Sequence, residues 1–158
     1  METKRMEEMY RIIGQTLHEI IPGEWKKIVL YAEVLDDSSE VFFYFQTPQN
    51  DEFEYSHLIP ELYGVDETIY TDILFELHDH FRSLQNEFMQ QGQSVWSSLT
   101  LVLESTGKFK IDYDYQNPVE SELDDYQRQF VWEYRNLGKW PKSEDNQKWL
   151  EDHLKNKR

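Results

Sequence analysis

The stretch VFFYF, residues 41–45, restricts the fold more than any other part of this chain. On a strand, Val41, Phe43 and Phe45 point one way and Phe42 and Tyr44 the other. Both faces are apolar. Such a strand has to lie centrally in its sheet or be covered on both sides. The preceding segment WKKIVLYAEV, 25–34, places Ile28, Leu30, Ala32 and Val34 on one face, and LDDSS at 35–39 has turn composition. The pair reads as a β-hairpin.

The rest of the chain alternates helices with a second hairpin. Met6, Met9, Tyr10, Ile13, Leu17, Ile20 and Ile21 recur at steps of three and four and predict a helix over 2–21, stopped by Pro22 and Gly23. Residues 47–65, with two prolines and a glycine, read as a long irregular connection. Asp66 is placed to cap the longest helix. Its apolar stripe is Ile69, Ile73, Leu77, Phe81, Leu84 and Phe88, and Gly92 ends it. Residues 94–104, with Leu99, Leu101 and Leu103 inward, and KFKIDYDY, 108–115, form the second hairpin. A helix over 123–137 has the stripe Tyr126, Phe130, Tyr134 and Leu137 and closes at Gly138. Ser143 caps a last helix that docks through Trp149, Leu150 and His153. The predicted class is α+β, in the order α-ββ-α-ββ-α-α. Its sheet is four-stranded and antiparallel, built from two hairpins, with helices packed on one face. Residues 1–158 are expected to form a single domain, since the length is that of one domain and no linker divides it.

Charge narrows the function classes. Sixteen Lys and Arg against 31 Asp and Glu give a net charge of −15. Direct binding to nucleic acid or to an anionic membrane is disfavoured, and a basic protein partner is favoured. The charge is segregated. Residues 28–81 hold thirteen carboxylates and no Lys or Arg, and Arg82 is the only cation between Lys27 and Lys108. A second block, 112–126, holds Asp112, Asp114, Glu120, Glu122, Asp124 and Asp125, again with no Lys or Arg. Aromatic content of 15% argues against a disordered acidic chain. The chain has no cysteine, so it has no disulfide, thiolate metal site or cysteine nucleophile. The N-terminus METKRMEEMY has no apolar segment of signal-peptide type, which predicts a soluble, cytoplasmic protein.

The sequence makes no case for an enzyme. No phosphate-cradling glycine loop, zinc-protease motif or nucleophile elbow occurs. His78 and His80 invite a metal reading. Residues two apart on a helix point to different sides, so their rings cannot chelate one ion. Asp112 and Asp114 sit about 6.6–7 Å apart on one strand face, a separation that also fits paired glycosidase carboxylates. Four strands in 158 residues leave little room for the cleft and sugar-stacking walls such an enzyme needs. No cofactor or metal is expected. Trp132 lies off the stripe of its helix, near Arg128 and Arg135. It is either an interface anchor or packed under the last helix.

FKIDYDY, the acidic spacer VESELDDY, WEYRNLG and the opening IIPGEWKKIVLYAEV together resemble the YezG-like family of antitoxins, also called immunity proteins. The resemblance covers essentially the whole chain. It implies a small cytoplasmic α+β protein of Gram-positive bacteria. It also implies a partner, the nuclease domain of a polymorphic toxin, often one exported by a type VII secretion system, and no enzymatic activity. A nuclease offers a basic groove to phosphates, and a rigid acidic domain suits such a groove. On that reading Asp112, Asp114, Glu120, Glu122, Asp124, Asp125 and Trp132 meet the toxin, with the 28–81 block as the other candidate face. An acidic adaptor module without a toxin partner is the competing reading.

Overall fold

The computed structural model describes residues 2–156. The chain divides into two compact units, one running to Gln116 and one from Asn117 onward.

The first unit opens with α1 (Lys4–Ile20), capped by the Thr3 hydroxyl on the Met6 N–H at 3.1 Å. β1 (Lys27–Val34) and β2 (Ser39–Gln46) form the expected hairpin. The connection after β2 departs from expectation. It holds a two-residue strand, β3 (Glu54–Tyr55), a one-turn 3-10 helix (Ser56–Leu58) and the short α2 (Ile59–Tyr63). α3 (Glu67–Gln90) follows, with the Asp66 carboxylate accepting from the Thr68 and Ile69 N–H groups. β4 (Ser98–Glu104) and β5 (Phe109–Asp114) make the second hairpin.

The sheet therefore has five strands and not four, in the spatial order β3-β2-β1-β4-β5, with every pairing antiparallel. The extra strand is held by tertiary contacts. Tyr55 pairs with Tyr44 and Glu54 with Phe45. The buried Ser56 hydroxyl accepts from the Phe43 N–H at 3.0 Å, and Tyr70 donates its hydroxyl to the Ser56 carbonyl at 2.8 Å. Two residues are too few to show a period of two. Pro60, which reads as a breaker, stands in the first turn of α2, where its missing N–H costs nothing.

α1 and α3 pack against one face of this sheet. Met6, Ile13, Leu17, Leu77, Phe81 and Leu84 join Ile28, Leu30, Ala32, Val34, Val41, Phe43, Phe45, Leu99 and Leu101 in one core. Within the first unit the helices thus lie on one face, as expected. Phe42 and Tyr44, on the opposite face, are buried as well, so β2 is covered on both sides. The stripe of α3 is displaced at its start: Tyr70 is buried and Ile69 is exposed. Leu35 to Ser38 close the first hairpin, and Arg82 donates to the carbonyls of both residues at 3.2 Å.

The second unit holds a 3-10 turn (Pro118–Glu120), α4 (Asp125–Leu137) and α5 (Glu144–Asn156). Gly138 ends α4 at φ +69, a left-handed conformation only glycine adopts cheaply, and returns its N–H to the Tyr134 carbonyl at 3.0 Å. Ser143 caps α5 by accepting from the Asn146 N–H at 3.2 Å. Leu150 is fully buried, and Trp149 stacks on His153 at 5.0 Å.

Gln85 ties α3 to the sheet. Its buried amide donates to the Val34 carbonyl at 2.9 Å and to the Trp96 carbonyl at 2.8 Å. Gln85→Leu keeps the bulk and removes the donor from two buried carbonyls. The expected loss is about 2 kcal/mol in urea unfolding at unchanged slope.

Candidate functional site

β5 is an edge strand, and its alternation separates two surfaces. Phe109, Ile111 and Tyr113 turn toward the helices. The Tyr113 hydroxyl lies 2.7 Å from that of Tyr10, and burial pushes its pKa well up. Lys110, Asp112 and Asp114 turn to the other face, opposite Val102, Thr100 and Ser98 of β4. All three are exposed. Asp112 lies 3.4 Å from the Lys110 ammonium, a surface pair that contributes little to stability. Asp114 finishes the strand. Its carboxylate accepts from the Gln116 N–H at 2.9 Å and its carbonyl from the Ser97 N–H at 2.8 Å.

Register extends this edge across the sheet in a way the sequence did not reveal. Ser98 faces Asp114 on one side and Glu33 on the other, and Glu33 faces Glu40. Glu40, Glu33, Ser98 and Asp114 thus form one row over four strands, at about 4.7–4.9 Å per strand. The buried Glu33 carboxylate accepts from the Tyr31 hydroxyl at 2.7 Å. The row follows from counting residues back from the Asp114–Ser98 pair, which requires the strand order first.

The remaining candidates belong to the second unit. Glu120 and Glu122 are exposed. Asp124 is the N-cap of α4: its carboxylate accepts from the Gln127 N–H at 2.8 Å, and Gln127 accepts from the Asp124 N–H at 3.1 Å, which completes a capping box. Asp125 pairs with Arg128 in the first turn, where a carboxylate also suits the helix dipole. Trp132 is half-buried, and its carbonyl accepts from the Asn136 amide at 2.9 Å. The expected stripe of α4 is corrected. Val131 is buried, whereas Tyr126 is 75% exposed. Val119 in this unit and Tyr115 in the first are exposed too. The acidic block is thus interleaved with large apolar side chains that pattern reading assigned to the core or passed over.

The histidines of α3 point apart, as their spacing requires. His78 Nδ1 lies 2.7 Å from the Ser39 hydroxyl, and His80 Nε2 lies 3.1 Å from that of Thr16. Among the described residues no group of three His, Cys, Asp or Glu side chains is placed to hold a metal ion. No helix among them is long and apolar enough to cross a membrane.

A sequence model described as "Immunity protein YezG-like" matches residues 6–151. Curated relatives agree. The Immunity protein YezG of Bacillus spizizenii is 47% identical over 155 residues, covering 98% of this chain and 96% of the relative. The Immunity protein YezG of Bacillus subtilis is 46% identical over 149 residues, covering 94% and 99%. The Type VII secretion system protein EsaG of Staphylococcus aureus is 28% identical over 141 residues, covering 89% and 86%.

Two predictions concern side chains of these groups. Asp124→Ala removes the side-chain half of the capping box, leaving the residue-124 N–H still able to donate to Gln127, and should cost about 1 kcal/mol, seen as faster amide exchange in the first turn of α4. Burial holds the His78 pKa below 6.5, only partly opposed by Asp79. The unfolded chain therefore takes up this proton first. The contribution of His78 is complete above the unfolded pKa and is lost as pH falls through the folded one. Between neutral and mildly acid pH the native protein should lose stability relative to His78→Gln, which does not titrate, when both are followed by urea unfolding.

Proposed function

The chain belongs to the YezG-like immunity protein family, and on that premise we propose that it is a cytoplasmic antitoxin that binds and inhibits a cognate nuclease toxin through an acidic surface. Proteins of this family are inhibitors and not enzymes, and their function is to bind a toxin. The observation that carries the reading is the near-complete coverage of two immunity proteins by this chain. The nuclease character of the toxin rests on charge. A nuclease must attract phosphates with Lys and Arg, and a chain of −15 is complementary to that surface. The name of the staphylococcal relative refers that protein to a type VII secretion system. By extension, the toxin of this chain is one exported by such a system.

The contact residues on this proposal are Asp112, Asp114, Glu120, Glu122, Asp124, Asp125 and Trp132. Both units belong to one immunity domain. The family match supports that, since it runs from 6 to 151 and so across the boundary at Gln116.

The test takes the secreted toxin encoded nearest to this protein, the neighbouring toxin, and titrates its C-terminal domain with the purified protein, read by complex formation and by nuclease activity. A one-to-one complex without activity is expected. Its association rate should fall steeply with ionic strength. Asp112→Lys with Asp114→Asn, which keeps the acceptor for the Gln116 N–H, should slow association about tenfold. Comparable affinity for several unrelated basic proteins, with the toxin still active, would replace the antitoxin by an adaptor.

A further inference from the structure

We infer that the outward face of α3 from Ile69 to Asp79 is a second docking surface, formed for a basic protein surface that carries an apolar recess. The inference rests on the antitoxin reading for the identity of that partner, the toxin domain.

The face is continuous by helix geometry. Ile69, Asp72, Glu76 and Asp79 follow one another at steps of three and four. Phe75 lies three residues from Asp72 and four from Asp79, so these side chains are neighbours on one surface. The opposite stripe, Tyr70, Leu77, Phe81, Leu84 and Phe88, is buried in the core. Ile69 is 58% exposed and Phe75 is 59% exposed. Neither position is needed to hold α3 down. Burying such a side chain on a partner is worth about 1.5–3 kcal/mol. The segment before α3 likewise leaves Leu58 and Leu62 exposed.

Charge selects the occupant. Glu67, Asp72, Glu76 and Asp79 share this half of the helix. The cation nearest in sequence, Arg82, has its guanidinium turned to the carbonyls of Leu35 and Ser38. The result is two apolar anchors inside an acidic rim. A second copy of the chain is a poor occupant, because a two-fold contact would set Asp72, Glu76 and Asp79 against their own copies. A phosphate backbone or an anionic membrane has the wrong sign. A basic protein with a recess for Phe75 and Ile69 matches both features. This face is distinct from that of Asp112 and Asp114, which lie on the side of the sheet away from α3. Its anchors act at short range, whereas the β5 carboxylates also act at a distance on the rate of encounter.

The experiment compares the native protein with Ile69→Ala/Phe75→Ala and with Asp72→Lys/Glu76→Lys. Each is measured for binding kinetics to the neighbouring toxin domain, with thermal melts and sedimentation as controls. The apolar pair should weaken binding about 100-fold or more, mainly by faster dissociation, with the melt unchanged. The charge pair should slow association about tenfold and flatten its salt dependence. Binding by both variants within about twofold of a tight native complex would overturn the α3 surface and leave the antitoxin reading standing. Failure of the native protein to bind would overturn the reading itself, and with it the partner named here. A native dimer that Phe75→Ala dissociates would show a second copy as the occupant and also overturn the inference.

Discussion

Strand β1 is hydrogen-bonded along both of its edges, to β2 from Lys27 to Val34 and to β4 from Lys27 to Glu33. That double pairing organises the first unit. β2 and β4 are joined through α2 and α3, so the chain must cross from one side of β1 to the other between the two hairpins. α3 makes that crossing on the face where Ile28, Leu30, Ala32 and Val34 project, and α1 fills the space beside it. Gln85 then satisfies the carbonyl at the end of β1 and that of Trp96 just before β4 begins. With β1 central, β5 becomes an edge, and Asp112 and Asp114 are set on the outside of the sheet. An edge strand with Lys110, Asp112 and Asp114 alternating on it is also guarded against pairing with another chain.

The charge of −15 has a cost and a use. Carboxylates crowded into segments without cations repel one another in the folded state, and that repulsion opposes compactness. The fold lessens it by giving some of them structural tasks. Asp66 and Asp124 cap helices, Asp114 closes a strand and Glu33 takes the Tyr31 hydroxyl. Others, such as Glu120, Glu122, Asp72 and Glu76, stay on the surface. On the proposed reading a partner of opposite sign relieves their repulsion on binding, so complex formation adds stability to the acidic chain.

The major elements were legible because their signals are local. VFFYF announces a strand covered on both sides, and Asp66, Gly138 and Ser143 sit at the helix ends they were assigned. The failures share a different cause. β3 exists because Tyr44 and Phe45 offer it partners from eleven and nine residues back, so no periodicity of its own marks it. Ile69 fits the apolar period of α3, but Tyr70 takes its place because the Tyr70 hydroxyl reaches the Ser56 carbonyl. Tyr126 fits the period of α4 equally well, yet it stands in the first turn beside the capping box and points to solvent. Trp96, fully buried against Phe88 and Tyr113, precedes its strand and obeys no strand alternation. Periodicity states which side chains belong to one face, and tertiary contacts decide where along the helix that face begins.

The same distinction bears on the candidate site. Charge pattern drew attention to six carboxylates between Asp112 and Asp125, but it treats a capping aspartate and a free glutamate alike. The structure separates them. Asp114 and Asp124 have backbone N–H groups to satisfy, so replacing either changes the fold locally before it changes any interface. The carboxylate of Asp112 pairs with Lys110 on the surface and those of Glu120 and Glu122 are exposed, so substitution there disturbs the fold less. The exposed apolar side chains supply what charge cannot. Carboxylates select the sign of a partner and speed its arrival, whereas lifetime depends on what is excluded from water. Phe75, Ile69, Tyr115, Tyr126 and Val119 are among the large apolar groups that the fold leaves exposed close in sequence to the acids. Inhibition by a bound protein lasts as long as the complex does. On the proposed reading, residues of that kind, more than the loudest charges in the sequence, give the complex its lifetime.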